Sequence, residues 1–298
     1  MGVSAAPEVA APGGGVTEKV ARLLDERVFR GGLSRVLDER RLRRGAREVV
    51  DREGLPPARE LDVAPLELLR SADLETLRDP ERLERDILPA LGLNDEELDE
   101  FPRELYEFCG RGLRHWQYPN QFGPYLATLA GQPISSYLEV GVRHGGTFLI
   151  TVEYLSRFRP LRKALAMDVV DSPWLRGQLK GRAGMRMVLA DSQMPQFGWV
   201  LAREGPFDLA LVDAAHHEST AQSDLEAVRP HANIVVLHDV VSQACPGVGT
   251  VWRRFRDEET ADWDFLEFTA QYDDVVQRMG GPYLGIGVAI RKTRLPAG

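Results

Sequence analysis

Cysteine and lysine are both scarce in this chain of 298 residues. The two cysteines, Cys109 and Cys245, are too few for a disulfide framework and sit in no metal or redox spacing. Both read as structural, and a reducing cytoplasm suits them. Lysine occurs only at positions 19, 163, 180 and 292, so arginine carries nearly all the positive charge, as in proteins from GC-rich genomes. No run of about 18 apolar residues is present, which argues against a membrane span. The opening MGVSAAPEVAAPGGGV has neither a basic start nor a continuous apolar stretch, so no secretory signal is expected. Ala6 breaks the myristoylation pattern after Gly2. Excess positive charge is also missing: the formal net charge is −8. Phosphate binding needs a basic face, so nucleic acid is not expected as the main partner. The arginines at 40, 41, 43 and 44 are surrounded by Asp38, Glu39, Glu48 and Asp51 and read as a solvated, ion-paired helix face.

What is present falls into three stretches. Residues 1–15 are Ala, Pro and Gly with little to bury, and disorder is expected there. Residues 16–114 read as a helical auxiliary region: Val20, Leu23 and Leu24, then Leu33, Val36 and Leu37, recur at helical spacing. Pro56, Pro57, Pro65, Pro80, Pro89 and Pro102 cut it into short pieces. From 115 to 298 short apolar runs alternate with helical patterns. Strands are expected at 136–142, 163–170, 185–191, 207–213 and 233–239, and helices at 147–158 and 218–228. That alternation predicts an α/β fold of parallel strands with right-handed crossovers. Residues 264–272 and 283–291 read as two more strands joined by a loop, an antiparallel pair at one edge.

Chemistry concentrates at the expected strand ends. Glu139-Val140-Gly141-Val142-Arg143-His144-Gly145-Gly146-Thr147 follows a strand and opens a helix. Its glycines allow a tight turn and close ligand approach, and a helix N-terminus offers free N–H groups. The run is not GxGxxG, so a dinucleotide pyrophosphate is not the first expectation. Asp168 ends the second strand, where an acid can reach ribose hydroxyls or cap the following turn. Asp191-Ser192 ends the third, placed either to meet an adenine ring or to cap. The densest cluster is Asp213-Ala214-Ala215-His216-His217-Glu218 with His238-Asp239. Two neighbouring strands thus deliver three histidines and two aspartates to one sheet edge, a set suited to general base work or to a divalent cation. Asp224, within the following helix, reads as a structural anchor. Residues 115–122 (HWQYPNQF) and 242–247 (SQACPG) are candidates to line an acceptor pocket.

In that order, YLEVGVRHGGTF, AMDVVD, FDLALVDAAHHESTAQSDLE and NIVVLHDVV resemble the class I S-adenosylmethionine (SAM) dependent methyltransferases. Within them they are most similar to the macrocin- and mycinamicin-type sugar O-methyltransferases of antibiotic biosynthesis. The resemblance covers roughly residues 115–298. It implies a Rossmann-like class I methyltransferase sheet and a soluble, cytoplasmic enzyme of natural-product biosynthesis acting on a small-molecule acceptor. By it, Glu139, Gly141, Gly145 and Thr147 hold the methionine end of SAM, Asp168 the ribose, Asp191 and Ser192 the adenine, with Asp213 beside them. His216, three residues after Asp213, matches the general base, with His217 next to it. Asp213, His238 and Asp239 match the ligands of magnesium or another divalent cation. The family's metal ligands are all oxygen, whereas this chain offers His238, and the usual glycine after the first aspartate is Ala214. The helical region matches no motif and is open to three roles: covering the site, building the pocket, or forming a homo-oligomer interface. N-methylation of an amino sugar, an NAD-dependent oxidoreductase and a non-catalytic SAM-binding protein are the competing readings.

Overall fold

A computed structural model describes residues 39–295. The expectations for residues 1–15, and for the helical spacing between Val20 and Leu37, fall outside those residues. Helix α1 (residues 39–53) opens the described chain, and the compact unit that carries everything below begins at Leu42.

The stretch before the sheet is broken as its prolines require. It holds α2 (Leu66–Ser71), α3 (Leu74–Arg78), α4 (Pro80–Arg82), a π-helical turn Leu83–Ile87, α5 (Leu88–Leu91), and two 3-10 turns, Leu98–Glu100 and Arg103–Phe108. Asp73 caps α3 by accepting the Thr76 N–H at 2.6 Å. Then come α6 (Pro119–Ala130), β1 (Ser136–Val140), α7 (Gly146–Ser156), β2 (Lys163–Asp168), α8 (Pro173–Leu179), β3 (Met185–Leu189), α9 (Pro195–Glu204) and β4 (Phe207–Val212). The chain continues with α10 (Glu218–Val228), β5 (Ala232–His238), α11 (Pro246–Glu258), β6 (Trp263–Phe268), α12 (Asp273–Met279) and β7 (Ile286–Arg291). Helices α6, α8, α9 and α11 each open on a proline. The first turn wastes no N–H on it, and its fixed φ already suits a helix.

The strands form one seven-stranded sheet in the order β3-β2-β1-β4-β5-β7-β6. All neighbours are parallel except at β7, which runs antiparallel to both β5 and β6. This is the mostly parallel class I methyltransferase sheet that the sequence pointed to. A dinucleotide-binding sheet ends instead in a parallel sixth strand beside the fifth. Two details differ from expectation. The strand expected at 264–272 stops at Phe268, and the connection to β7 contains α12 rather than loop alone. The segment 115–122 is partly helical, because α6 starts at Pro119.

Alternation along the strands divides the core. Tyr137, Ala164, Ala166, Leu209, Leu211 and Ile234 face α6, α7 and the short helices before them. Leu138, Val140, Leu165, Met167, Ala210 and Val235 face α9, α10 and α11. Covered on both faces, the central strands read as near-continuous apolar runs. Because β1 to β5 are parallel, their carboxyl ends share one edge, where open α/β sheets bind ligands.

Candidate active site

At β1 the backbone turns on Gly141, whose φ is +88°. A side chain there would meet the Asp213 carbonyl oxygen at 2.0 Å, so the turn after β1 and the end of β4 are pressed together. Gly146 is equally confined: a Cβ would lie 1.9 Å from the Leu113 carbonyl oxygen. The chain before α6 therefore crosses directly over the first turn of α7, where Thr147 stands half-buried. Gly145, at φ +93°, packs against Leu175. Gly141 and Gly146 thus serve close backbone packing around the loop, and Gly145 leaves room for the Leu175 side chain.

Glu139 lies one residue pair from the loop, 1% exposed, and accepts a hydrogen bond from the Tyr137 hydroxyl. Burial pushes its carboxyl well above the usual carboxylate range. Asp168 stands at the end of β2 with each oxygen already accepting one backbone N–H, Arg143 at 2.7 Å and Val170 at 2.8 Å. Burial raises its pKa and those two bonds oppose the rise. A carboxylate offers about four acceptor positions, so capacity remains for ligand hydroxyls. Asp191 Oδ1 accepts the Gln193 N–H at 2.9 Å, and the Gln193 side chain donates to Asp224 Oδ1 at 2.8 Å. Asp224 is fully buried, tying α10 to the loop after β3, and burial pushes its pKa up to about 6.

At β4 and β5 the polar groups meet one another instead of the backbone. Asp213 Oδ1 lies 3.3 Å from His238 Nδ1 and 3.5 Å from His216 Nε2. Asp239 Oδ2 lies 3.3 Å from His216 Nε2 and 3.6 Å from His238 Nδ1. Two imidazoles and two carboxylates thus form a closed ring of charge contacts. Burial draws the His216 pKa down, but the hydrogen bonds to Asp213 and Cys245 and the charges of both aspartates outweigh it and lift the ring to about 11. Burial acts the same way on His238, and the two aspartates overcome it, lifting that ring to about 10. The histidines in turn hold Asp213 well below the usual carboxylate range against its own burial. The His216 side chain is 43% exposed and that of His238 only 3%. His217 is exposed and opens α10, its carbonyl accepting the Ala221 N–H at 2.9 Å.

The spacing suits a divalent cation. One donor atom from each of Asp213, His238 and Asp239 lies within 4.8 Å of the others. Octahedral bonds of about 2.1 Å put neighbouring donors roughly 3 Å apart. The imidazole makes this donor set better suited to a transition ion such as iron or zinc than to magnesium. His216, Asp239 and Cys245 form a second such group, so the Cys245 thiol, in the 242–247 segment that the sequence offered as pocket lining, belongs to this corner.

Other residues reach the site from the stretch before β1. Glu96 pairs with Arg143 at 2.8 Å and with His144 Nε2 at 2.8 Å, pinning the loop after β1. Trp116 Nε1 donates to Glu100 Oε2 at 3.0 Å, close enough to β5 for the charges of Asp239 and His238 to act on Glu100. Of these, Trp116 lies in the 115–122 run and Arg143 and His144 in the run after β1, whereas nothing in the sequence marks Glu96 or Glu100.

No protein-family model matches the chain, and no curated protein matches it in sequence. Among solved structures it is similar to MycE, a methyltransferase from the mycinamycin biosynthetic pathway in complex with Mg and S-adenosylhomocysteine (SAH). Identity is 17% over 63% of this chain and 53% of that one, with a TM-score of 0.40. This chain therefore spans about half the length of that structure. It is also similar to CalS11, a TDP-rhamnose 3'-O-methyltransferase of calicheamicin biosynthesis, at 16% identity over 77% and 92% of the two chains and a TM-score of 0.43. A putative O-methyltransferase from Klebsiella pneumoniae gives 14% identity over 86% and 99%, also at 0.43. The fold assignment rests on the strand order. No helix among the described residues is long and apolar enough to cross a membrane.

Proposed function

We propose that this protein is a SAM-dependent methyltransferase that methylates a hydroxyl of a small molecule, a sugar or other natural product, with His216 as general base. The observation that carries the reading is the closed ring of Asp213, His216, His238 and Asp239 at the same sheet edge as Asp168. Asp168 stands at the strand end where an acid meets ribose hydroxyls.

In this reading the loop from Gly141 to Thr147 holds the methionine end of SAM, with Glu139 beneath it. Asp168 takes the ribose, and Asp191 and Ser192 take the adenine. Methyl transfer from the sulfonium is an in-line displacement, so holding donor and acceptor in line supplies the largest share of the rate. His216 is the exposed member of the ring and takes the proton leaving the acceptor hydroxyl; His217, exposed where α10 begins, is outside the ring and plays no part. His216 accepts a proton only when neutral, and in the closed ring its two aspartates keep it protonated. A divalent ion held by Asp213, His238 and Asp239 would polarise acceptor oxygens and cancel the carboxylate charge that holds the proton on His216. We read residues 115–298 as the methyltransferase domain, the stretch before it as the cover of its cofactor loop, and the protein as cytoplasmic.

Calorimetry with SAM, SAH and NAD tests the reading. SAH should bind and stabilise the fold by about 2.7 kcal/mol at 100 times its dissociation constant. Binding of NAD with flat traces for SAM and SAH would sink it.

A further inference from the structure

The two cysteines use their thiols differently. Cys109 Sγ donates to the Leu105 carbonyl oxygen at 3.5 Å. The Cys245 thiol, in a residue only 8% exposed, donates to no carbonyl among the described residues. It lies instead within 4.8 Å of a His216 ring nitrogen and an Asp239 carboxylate oxygen, which are that close to each other as well. Local bonds build this meeting. The Asp239 carbonyl accepts the Ser242 N–H at 3.2 Å, the Ser242 carbonyl the Cys245 N–H at 3.1 Å, and the Cys245 carbonyl the Val248 N–H at 3.1 Å. Asp239 holds a left-handed backbone at φ +63°, costly for a residue with a side chain. At Gly247 a Cβ would stand 2.4 Å from the Glu218 nitrogen and 2.9 Å from the His216 carbonyl oxygen. The first turn of α11 therefore rests directly on the chain that carries His216.

Thiolate, imidazole and carboxylate are zinc ligands, and the soft sulfur selects against magnesium and calcium. Zinc bonds to nitrogen and oxygen of about 2.0–2.2 Å put neighbouring tetrahedral donors roughly 3.3–3.6 Å apart. His216 Nε2 and Asp239 Oδ2 stand 3.3 Å apart. We propose that His216, Asp239 and Cys245 form a site for a thiophilic divalent cation of the zinc class, separate from the group of Asp213, His238 and Asp239. Three protein ligands leave the fourth position to water. The ion takes the lone pair of one His216 ring nitrogen while the other carries the ring's proton, so His216 can accept no further proton and zinc acts as an inhibitor. That consequence rests on the base role given to His216 above; the site itself does not.

The test is Co2+, a stand-in for zinc whose bond to a thiolate absorbs in the near ultraviolet, titrated into the full chain without SAH. The unaltered protein should show that sulfur-to-cobalt band, and Zn2+ should abolish it. C245S, with a residue favoured at a helix start, should lose the band and weaken Co2+ by at least the roughly 10–100-fold typical of losing even an outer partner. H216A alters a side chain that is 43% exposed and should weaken Co2+ without unfolding the protein. C109S and D213N should keep the band, since neither removes a ligand of this site. No band in the unaltered protein, a band that survives C245S, or undiminished Co2+ affinity in H216A would overturn the proposal. Loss of the band in D213N would tie it to the neighbouring group and overturn the separate site. Calorimetry with SAH in parallel tells the two readings apart: SAH binding without a band overturns this inference alone, and a band without SAH binding upholds the site but removes its consequence for catalysis.

Discussion

The two halves of the strand-end row satisfy their polar groups differently. Under β1 to β3, Asp168 and Asp191 are held by backbone N–H groups of their own turns. Under β4 and β5, Asp213 and Asp239 are held by His216 and His238, side chain against side chain. A backbone-held carboxylate is fixed in place, as binding requires. A carboxylate held by imidazole shares protons, as proton transfer requires. On the proposed function, the difference assigns binding and chemistry to separate stretches of one sheet edge.

Substitutions can break or sharpen that division. The largest effect is expected at His216: H216A should lose about two to four orders of magnitude in turnover with SAH affinity nearly unchanged. H217A should lose far less, and near-full turnover of H216A would remove the base from this half. Next comes Asp168. D168A should weaken SAH by roughly 10–100-fold, the scale of lost hydrogen bonds to a charged group. Unchanged SAH affinity in calorimetry would leave Asp168 a turn cap only. Gly141 sits where the halves touch. G141A places a Cβ against the Asp213 carbonyl in a left-handed conformation, and should cost about 1–3 kcal/mol in denaturant unfolding. An equally stable G141A would show that the two turns yield independently.

The smallest effects are in pH dependence, and they differ between the halves in sign of charge and in window. Asp224 has a folded pKa of about 6, above its unfolded value near 4. Its contribution is present below pH 4 and is lost as pH rises through 6. D224N should therefore gain stability relative to the parent between pH 5 and pH 7.5. His238 has a folded pKa of about 10 against an unfolded value near 6.5. Its contribution is full below 6.5 and lost as pH rises through 10, so H238Q should flatten the alkaline limb. Thermal melts across pH 4–10 check both; superimposable profiles of parent and variants would deny the division.

What could be read from the sequence was what lies local to a strand end. Asp168, Asp213, His216, His238 and Asp239 each follow an apolar run within a residue or a few, so the strand pattern places them at one edge before any packing is known. Glu96 and Glu100 reach that edge only through the packing of distant segments, and no spacing announces them. Helix α6 was hidden by apparent breakers. Pro119 sits harmlessly at its start, and Gly123 is kept bare by the Pro80 carbonyl, 2.8 Å from where a Cβ would stand. The strand expected to run to 272 stops early because the Gln271 side chain turns to the backbone of Tyr283, with bonds of 2.9 and 3.0 Å.

The placement of β7 has a consequence for how the protein is made. β5 carries His238 at its end, and one side of β5 pairs with β4, while the other pairs only with β7, which begins at Ile286. Until the ribosome has delivered residues 286–291, β5 is a bare apolar edge of seven buried residues, open to pairing with another chain. The end of the sheet that carries His238 therefore waits for residues 286–291, whereas β1, β2 and β3 can pair among themselves long before. A growing chain arrested before β7 would hold β1 to β3 in place and expose β5 as an aggregation template.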